Sequence, residues 1–266
     1  MEVIAVTSGK GGVGKTTIAI NLGAILSEKF KKDVTIIDCN LTTPHISLHL
    51  GIYYSPTTLN HVLRGEVPVD ESVFVHFTGM KVIPASLSIK DLTGVDALKL
   101  EKVLEELKYK TEIVLLDTAP GFGREALSAL RISNKVLYVT TPHIPSVMDI
   151  VRGEEVRKEL GIDAVGIILN MVRGSADELK PYEIEDLTGL KVIASIKYDP
   201  DILRSLSAKL PLSVFNPRNK NLRELLKVGS LIAGVPYVER KSLWRRILDK
   251  FKLSRRSSRT FGKINY

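Results

Sequence analysis

The sequence predicts a doubly wound α/β fold, a mostly parallel sheet with helices on both faces, followed by a C-terminal amphipathic helix. Three observations carry this. Short runs rich in Val and Ile, lacking polar alternation, recur along the chain and alternate with helix-patterned segments. Unalternated apolar runs suit strands covered on both faces, and a β-then-α order calls for parallel pairing. A glycine-rich turn joins the first run to the first helix, and the excess positive charge is gathered at the far end of the chain.

The first strand, Val3–Thr7, leads into Gly9–Thr17 and a helix over Thr17–Phe30. Gly9, Gly14, Lys15 and Thr16 satisfy G-x-x-x-x-G-K-[ST]. Glycines let the backbone turn with unusual dihedrals and bring its N–H groups around phosphate oxygens. The helix start adds the positive end of its dipole. Lys15 is placed to reach β- and γ-phosphates, and the Thr16 hydroxyl to ligate Mg²⁺. The bland alternative is a glycine turn without a ligand, against which stand the strand before it and the helix after it.

The second strand, Val34–Asp38, ends in a carboxylate at its carboxyl end, where open α/β sheets bind nucleotides. Asp38 there suits outer-shell Mg²⁺ coordination or the positioning of a water. Two residues on, Asn40 either orients water through its amide or simply shapes a turn. A strand over Lys81–Pro84 and a helix over Val95–Lys108 follow. The next strand, Ile113–Asp117, continues as Thr118-Ala119-Pro120-Gly121. Its apolar residues cross the sheet and leave Asp117 at the rim to hold a Mg²⁺-bound water, while Gly121 frees the following loop to move.

The remaining elements repeat the alternation: helix Arg124–Ile132, strand Val136–Thr141, helix Val147–Leu160, strand Ala164–Asn170, helix Pro181–Leu187, strand Lys191–Ile196 and helix Asn221–Ile232. Asn170 closes its strand with an amide that offers both donor and acceptor. A capping or turn role competes with one in base recognition.

Lys10 narrows the reading. The string Lys10-Gly11-Gly12-Val13-Gly14-Lys15-Thr16-Thr17 resembles the deviant Walker A motif of the MinD/ParA family of dimerising ATPases. The resemblance spans most of residues 1–235. It implies ATP and Mg²⁺ as cofactors, with Gly11 through Thr17 cradling the phosphates. It also implies that Lys10 reaches across a sandwich homodimer to the partner's nucleotide and that Asn170 reads the base. A solvated loop lysine is the competing reading of Lys10. The family's D-x-D pattern is Asp38-Cys39-Asn40 here, a departure that makes hydrolysis slow or removes it. Lys197 stands where the family's I-P-x-D stretch has proline, and His143 where it often has glutamate, so neither carries a contact over.

At 266 residues the chain is long enough for one substantial core, expected over 1–238, with a separate tail at 239–266. With 44% apolar and 26% charged residues it has the composition of a soluble globular protein, and no apolar run is long enough to span a bilayer. Strand pattern from the first residues leads to the expectation of no signal peptide. One cysteine, Cys39, makes no intrachain disulfide, which points to a cytoplasmic setting and sets aside the iron–sulfur carriers of the wider superfamily.

From Arg240 to Tyr266 the chain holds ten Lys or Arg and one acid, so the preceding residues, with 28 bases and 29 acids, are close to neutral. Leu243, Trp244, Ile247, Leu248 and Phe251 fall on one stripe of a helix flanked by Arg and Lys. Such a helix suits the boundary of an anionic leaflet, and the protein is expected at the inner face of the cytoplasmic membrane. Two other readings stay open: the stripe docks on its own domain, or the bases bind nucleic acid as ParA-type relatives bind DNA. The function expected is an ATP-driven positioning or assembly switch. The alternatives are a DNA-partitioning ATPase and a hydrolysis-deficient ATP-binding module.

Overall fold

The computed structural model describes residues 1–236. The chain divides into two units, Met1–Val235 and Pro236–Tyr266. The tail stripe from Leu243 to Phe251 lies outside the described residues.

The first unit holds eight strands: β1 (Glu2–Thr7), β2 (Val34–Cys39), β3 (Phe74–Val75), β4 (Lys81–Ile83), β5 (Ile113–Thr118), β6 (Lys135–Thr140), β7 (Asp163–Val172) and β8 (Val192–Lys197). They form one sheet in the order β3-β4-β2-β5-β1-β6-β7-β8. All neighbours run parallel except the edge pair β3–β4. Its helices are α1 (Lys15–Phe30), α2 (Ile46–Leu50), α3 (Leu59–Arg64), α4 (Leu100–Leu107), α5 (Arg124–Arg131), α6 (Ile144–Leu160), α7 (Pro181–Thr188), α8 (Pro200–Ser207), α9 (Leu212–Phe215) and α10 (Leu222–Ala233). The doubly wound fold is thus the observed one.

Both faces of the strands are apolar because both are covered. Ile4, Val6, Ile36 and Leu115 meet Ile18, Leu22 and Ile25 of α1 and Leu225 and Val228 of α10 in one core cluster. Their neighbours Val3, Ile37 and Leu116 point the other way, against Leu59 and Leu63 of α3 and Val103 and Leu107 of α4. Farther along, Ala5 and Tyr138 meet Val147 and Ile150 of α6 and Ile184 of α7. This two-sided burial is why strand periodicity is absent from the sequence.

Element bounds depart from expectation where capping intervenes. The helix expected from Val95 starts as a 3-10 turn, Ala97–Lys99, and becomes α4 only at Leu100. The Asp96 side chain accepts from the Leu98 N–H and fixes that turn. Conversely α6 begins at Ile144, ahead of the expected Val147, because Pro145 falls in its first turn, where a missing N–H costs nothing. The short elements α2, α3, β3 and α9 carry too few residues for a periodic signal, and α8, as long as α4, was not expected either.

Candidate functional site

The sheet order sets the site. β1 lies between β5 and β6, and β5 lies between β1 and β2, so the loops leaving β1, β2 and β5 emerge side by side. Register places Val6 opposite Asp117 and Asp38 opposite Asp117.

The loop from Ser8 to Gly14 turns through left-handed conformations at Gly12 (φ 80°) and Gly14 (φ 89°), which side-chain-bearing residues adopt only with strain. Gly14 precedes α1, whose start has no side-chain cap and no acidic residue in its first turn. Its first N–H groups are therefore free to meet an anion. Val13 sends its side chain into the core and its carbonyl to Asn170, whose Nδ2 donates to it at 2.8 Å. Thr17 is buried within α1, and its carbonyl accepts from Asn21 at 2.8 Å.

Lys15, Thr16 and Asp117 converge. Lys15 Nζ lies 2.7 Å from Asp117 Oδ1, and Thr16 Oγ1 donates to Asp117 Oδ2 at 2.6 Å, all three side chains being buried. This brings together two of the three expected Mg²⁺ residues in a hard oxygen set of the kind Mg²⁺ accepts when phosphate and water complete its shell. The third, Asp38, is spent differently. Its Oδ2 accepts from the His45 and Ile46 N–H groups at 3.0 Å each, and its Oδ1 from the Asn40 N–H at 3.2 Å. It thereby anchors the loop after β2 and the start of α2. Complete burial and then the charge of Asp117 push its pKa up to about 7, against the pull of those N–H groups and Lys15.

Asn40 closes the same loop. Its Nδ2 donates to the Thr43 carbonyl at 2.6 Å, and its Oδ1 accepts from the Thr43 hydroxyl at 3.0 Å. The turn-shaping geometry is thus present, in the wall of the cleft. Lys10 stands apart from Lys15: it is about half exposed, and its Nζ lies 3.9 Å from Asp149 Oδ2 on α6.

Residues 10–17 and Asn40 line a cleft of about 500 Å³, of a size that holds a small ligand. Sequence reasoning missed five of its walls: Thr43, His45, His49, Met171 and Leu206. The two histidines stack at 6.2 Å, and burial lowers the pKa of His49. Their spacing on one helical face was the one available signal, and α2 is too short to announce itself as a helix.

A ParA family model, described as NUBPL iron-transfer P-loop NTPase, matches residues 1–230. The solved structure of the cell division ATPase MinD from Pyrococcus furiosus superposes with a TM-score of 0.83 at 30% identity, covering 88% of this chain and 98% of that one. The chain belongs to the MinD/ParA family of P-loop ATPases. Septum site-determining MinD from Pyrococcus horikoshii, solved with Mg-ADP, is similar at 28% identity and a TM-score of 0.83, over 87% of this chain and 95% of that one. An ATP-binding protein of Methanocaldococcus jannaschii is 32% identical over 88% of each chain. ATP and Mg²⁺, expected from the motif, are the cofactors of this MinD/ParA family. Iron transfer, named in the family description, has no paired thiols to rest on here, since the chain's one cysteine, Cys39, is buried in β2.

Proposed function

We propose that this MinD/ParA protein is a slow ATPase that dimerises on binding Mg-ATP and attaches reversibly to an anionic membrane surface as a positioning or assembly switch. One observation carries the reading: the two lysines of one loop are disposed in opposite ways. Lys15 is buried on Asp117, in the floor of its own cleft, whereas Lys10 is half exposed and loosely held at 3.9 Å by Asp149. The first is a phosphate ligand in cis. The second is free to serve a second copy's nucleotide.

The residues then take the following roles. Backbone N–H groups of the loop and Lys15 hold the phosphates, and Thr16 and Asp117 hold Mg²⁺, which supplies charge neutralisation at the phosphoryl oxygens. Asp117 keeps Lys15 and the Thr16 hydroxyl oriented before nucleotide arrives. Asp38 and Asn40 fix the loop that borders the cleft, and Asn40 offers water an amide where the family has a carboxylate, which makes turnover slow. Asn170 braces the phosphate loop and faces the base with its remaining acceptor. Two tails of the 239–266 segment presented together raise a weak membrane affinity through avidity.

Purified protein releasing phosphate from ATP, with Lys15→Ala as the inactive control, tests the enzyme. Sedimentation with vesicles of anionic phospholipid tests the switch: more protein pellets with ATP than with ADP, and deletion from Arg240 abolishes the difference. Equal pelleting in both nucleotides would sink the switch, and tail-dependent retention on duplex DNA without vesicle binding would move the reading to partitioning.

A further inference from the structure

We infer that Phe122 is the positioning residue of the loop after β5, and that Gly153 on α6 is the seat that holds it. The inference rests on the ATPase reading and adds to it a residue outside the phosphate motifs.

That loop leaves β5 just past Asp117. At Gly121 (φ 78°) its N–H donates to the Ser8 carbonyl at 2.9 Å, so the loop is stitched to the start of the phosphate loop. The next residue, Phe122, turns its ring away from the cleft onto α6. A Cβ built at Gly153 would stand 2.4 Å from Phe122 Cζ, 2.9 Å from its Cε1 and 3.1 Å from Tyr138 Cε1. Carbon atoms do not approach within 3 Å without something shifting, so no side chain fits at 153 while Phe122 stays in place.

Gly153 lies inside a long helix, where glycine costs roughly 1 kcal/mol against alanine. Its φ is not among the positive values, so backbone freedom does not account for it. Room for the Phe122 ring does. The floor of the seat is itself fixed. Tyr138 is buried, and burial and then the Glu154 carboxylate raise the pKa of its hydroxyl, while Glu154 is clamped by Arg157 through two bonds of 2.7 and 2.9 Å. One turn earlier on the same helix, a Cβ at Gly9 would lie 2.0 Å from the Asp149 Cβ. Both loops that border the phosphates are therefore indexed on α6, the phosphate loop at Asp149 and the loop after β5 at Gly153. Phe122 sets where Gly121 sits relative to the reacting phosphate and touches no nucleotide itself.

The test compares wild type, Phe122→Ala, Phe122→Leu, Gly153→Ala and the double variant Phe122→Leu with Gly153→Ala, all as full-length protein. Expected are a fall in kcat of about tenfold or more for Phe122→Ala and Gly153→Ala, since small displacements of positioning groups are costly, with ADP affinity changed by less than about twofold. The double variant, a smaller side chain on a shallower seat, recovers most of the kcat that Gly153→Ala loses. Amide hydrogen exchange over residues 119–123 reads the loop without turnover and rises about tenfold in Phe122→Ala. Unchanged kcat and exchange in Phe122→Ala overturn the inference, as does a parallel fall of kcat and ADP affinity in that variant. Should Gly153→Ala fail to fold, Phe122→Ala, which overfills nothing, decides alone. A wild type that releases no phosphate overturns the ATPase reading, and the exchange measurement then judges Phe122 by itself.

Discussion

Asn170 Nδ2 donates to the Val13 carbonyl at 2.8 Å, and the same nitrogen would lie 2.2 Å from a Cβ placed on Gly14. The end of β7 thus closes directly on the phosphate loop. Gly14→Ala meets both this contact and a φ of 89°, and is expected to abolish ADP binding by calorimetric titration. Asn170→Ala leaves the Val13 carbonyl without its partner and costs about 1–3 kcal/mol in denaturant unfolding.

Lys15 and Asp117 form a buried ion pair at 2.7 Å. Removing one member leaves an uncompensated charge inside the protein, typically about 3–5 kcal/mol. Lys15→Ala should therefore lose nucleotide binding and also melt well below wild type without nucleotide. Lys15→Ala combined with Asp117→Ala should melt above Lys15→Ala alone, a non-additivity that urea unfolding of the set measures.

The Lys10 ammonium is half exposed and lies 3.9 Å from Asp149, so loss of its side chain leaves the cleft intact. Lys10→Ala is expected to bind ADP within about twofold of wild type and to remain monomeric with ATP in light scattering. An ATP-dependent dimer of the variant would remove the role in trans.

Asp38 has a pKa of about 7 in the fold against an ordinary value of 3.8. An acid whose pKa is raised on folding stabilises the fold while protonated, so its contribution is lost as pH climbs from about 4 to about 7. Nucleotide-free protein should become less stable relative to Asp38→Asn across that window. Parallel pH dependences of melting for the two proteins between about pH 4 and about pH 7, the interval between the unfolded and folded pKa, would contradict the assignment.

Asn40→Asp replaces the amide donor to the Thr43 carbonyl and sets a third carboxylate near Asp38 and Asp117. Without Mg²⁺ the variant is expected to lose about 1–3 kcal/mol, measured by urea unfolding, and Mg²⁺ titration should restore part of it.

The central strands and the phosphate loop were legible because each rests on local chemistry: a Val/Ile run, a glycine pattern, a carboxylate at a strand end. Lys15, Thr16 and Asp117 follow from that chemistry, and they meet in the fold. Asp38 was legible as a carboxylate near phosphate, but not as the acceptor for His45 and Ile46, because that bond depends on the path of a loop with no periodicity. Asn40 and Asn170 were each ambiguous between chemistry and turn geometry, since an amide serves either, and here both amides hold backbone carbonyls. Gly153 was unreadable in advance. Its reason is a ring that the chain delivers from residue 122, across the packing of two elements.

The position of β5 between β1 and β2 also governs how the protein is made. The first two strands leave the ribosome early, yet β1 has neither of its sheet neighbours until Thr118 has emerged, and β2 has only the short edge-side strand β4. A nascent chain that stops short of that residue has a glycine loop and a lysine with no carboxylate to meet, and two apolar strands with open edges. Folding of this chain is thus a late, collective event rather than a growth from the amino terminus, and amino-terminal fragments ending before β5 should require a chaperone to stay in solution.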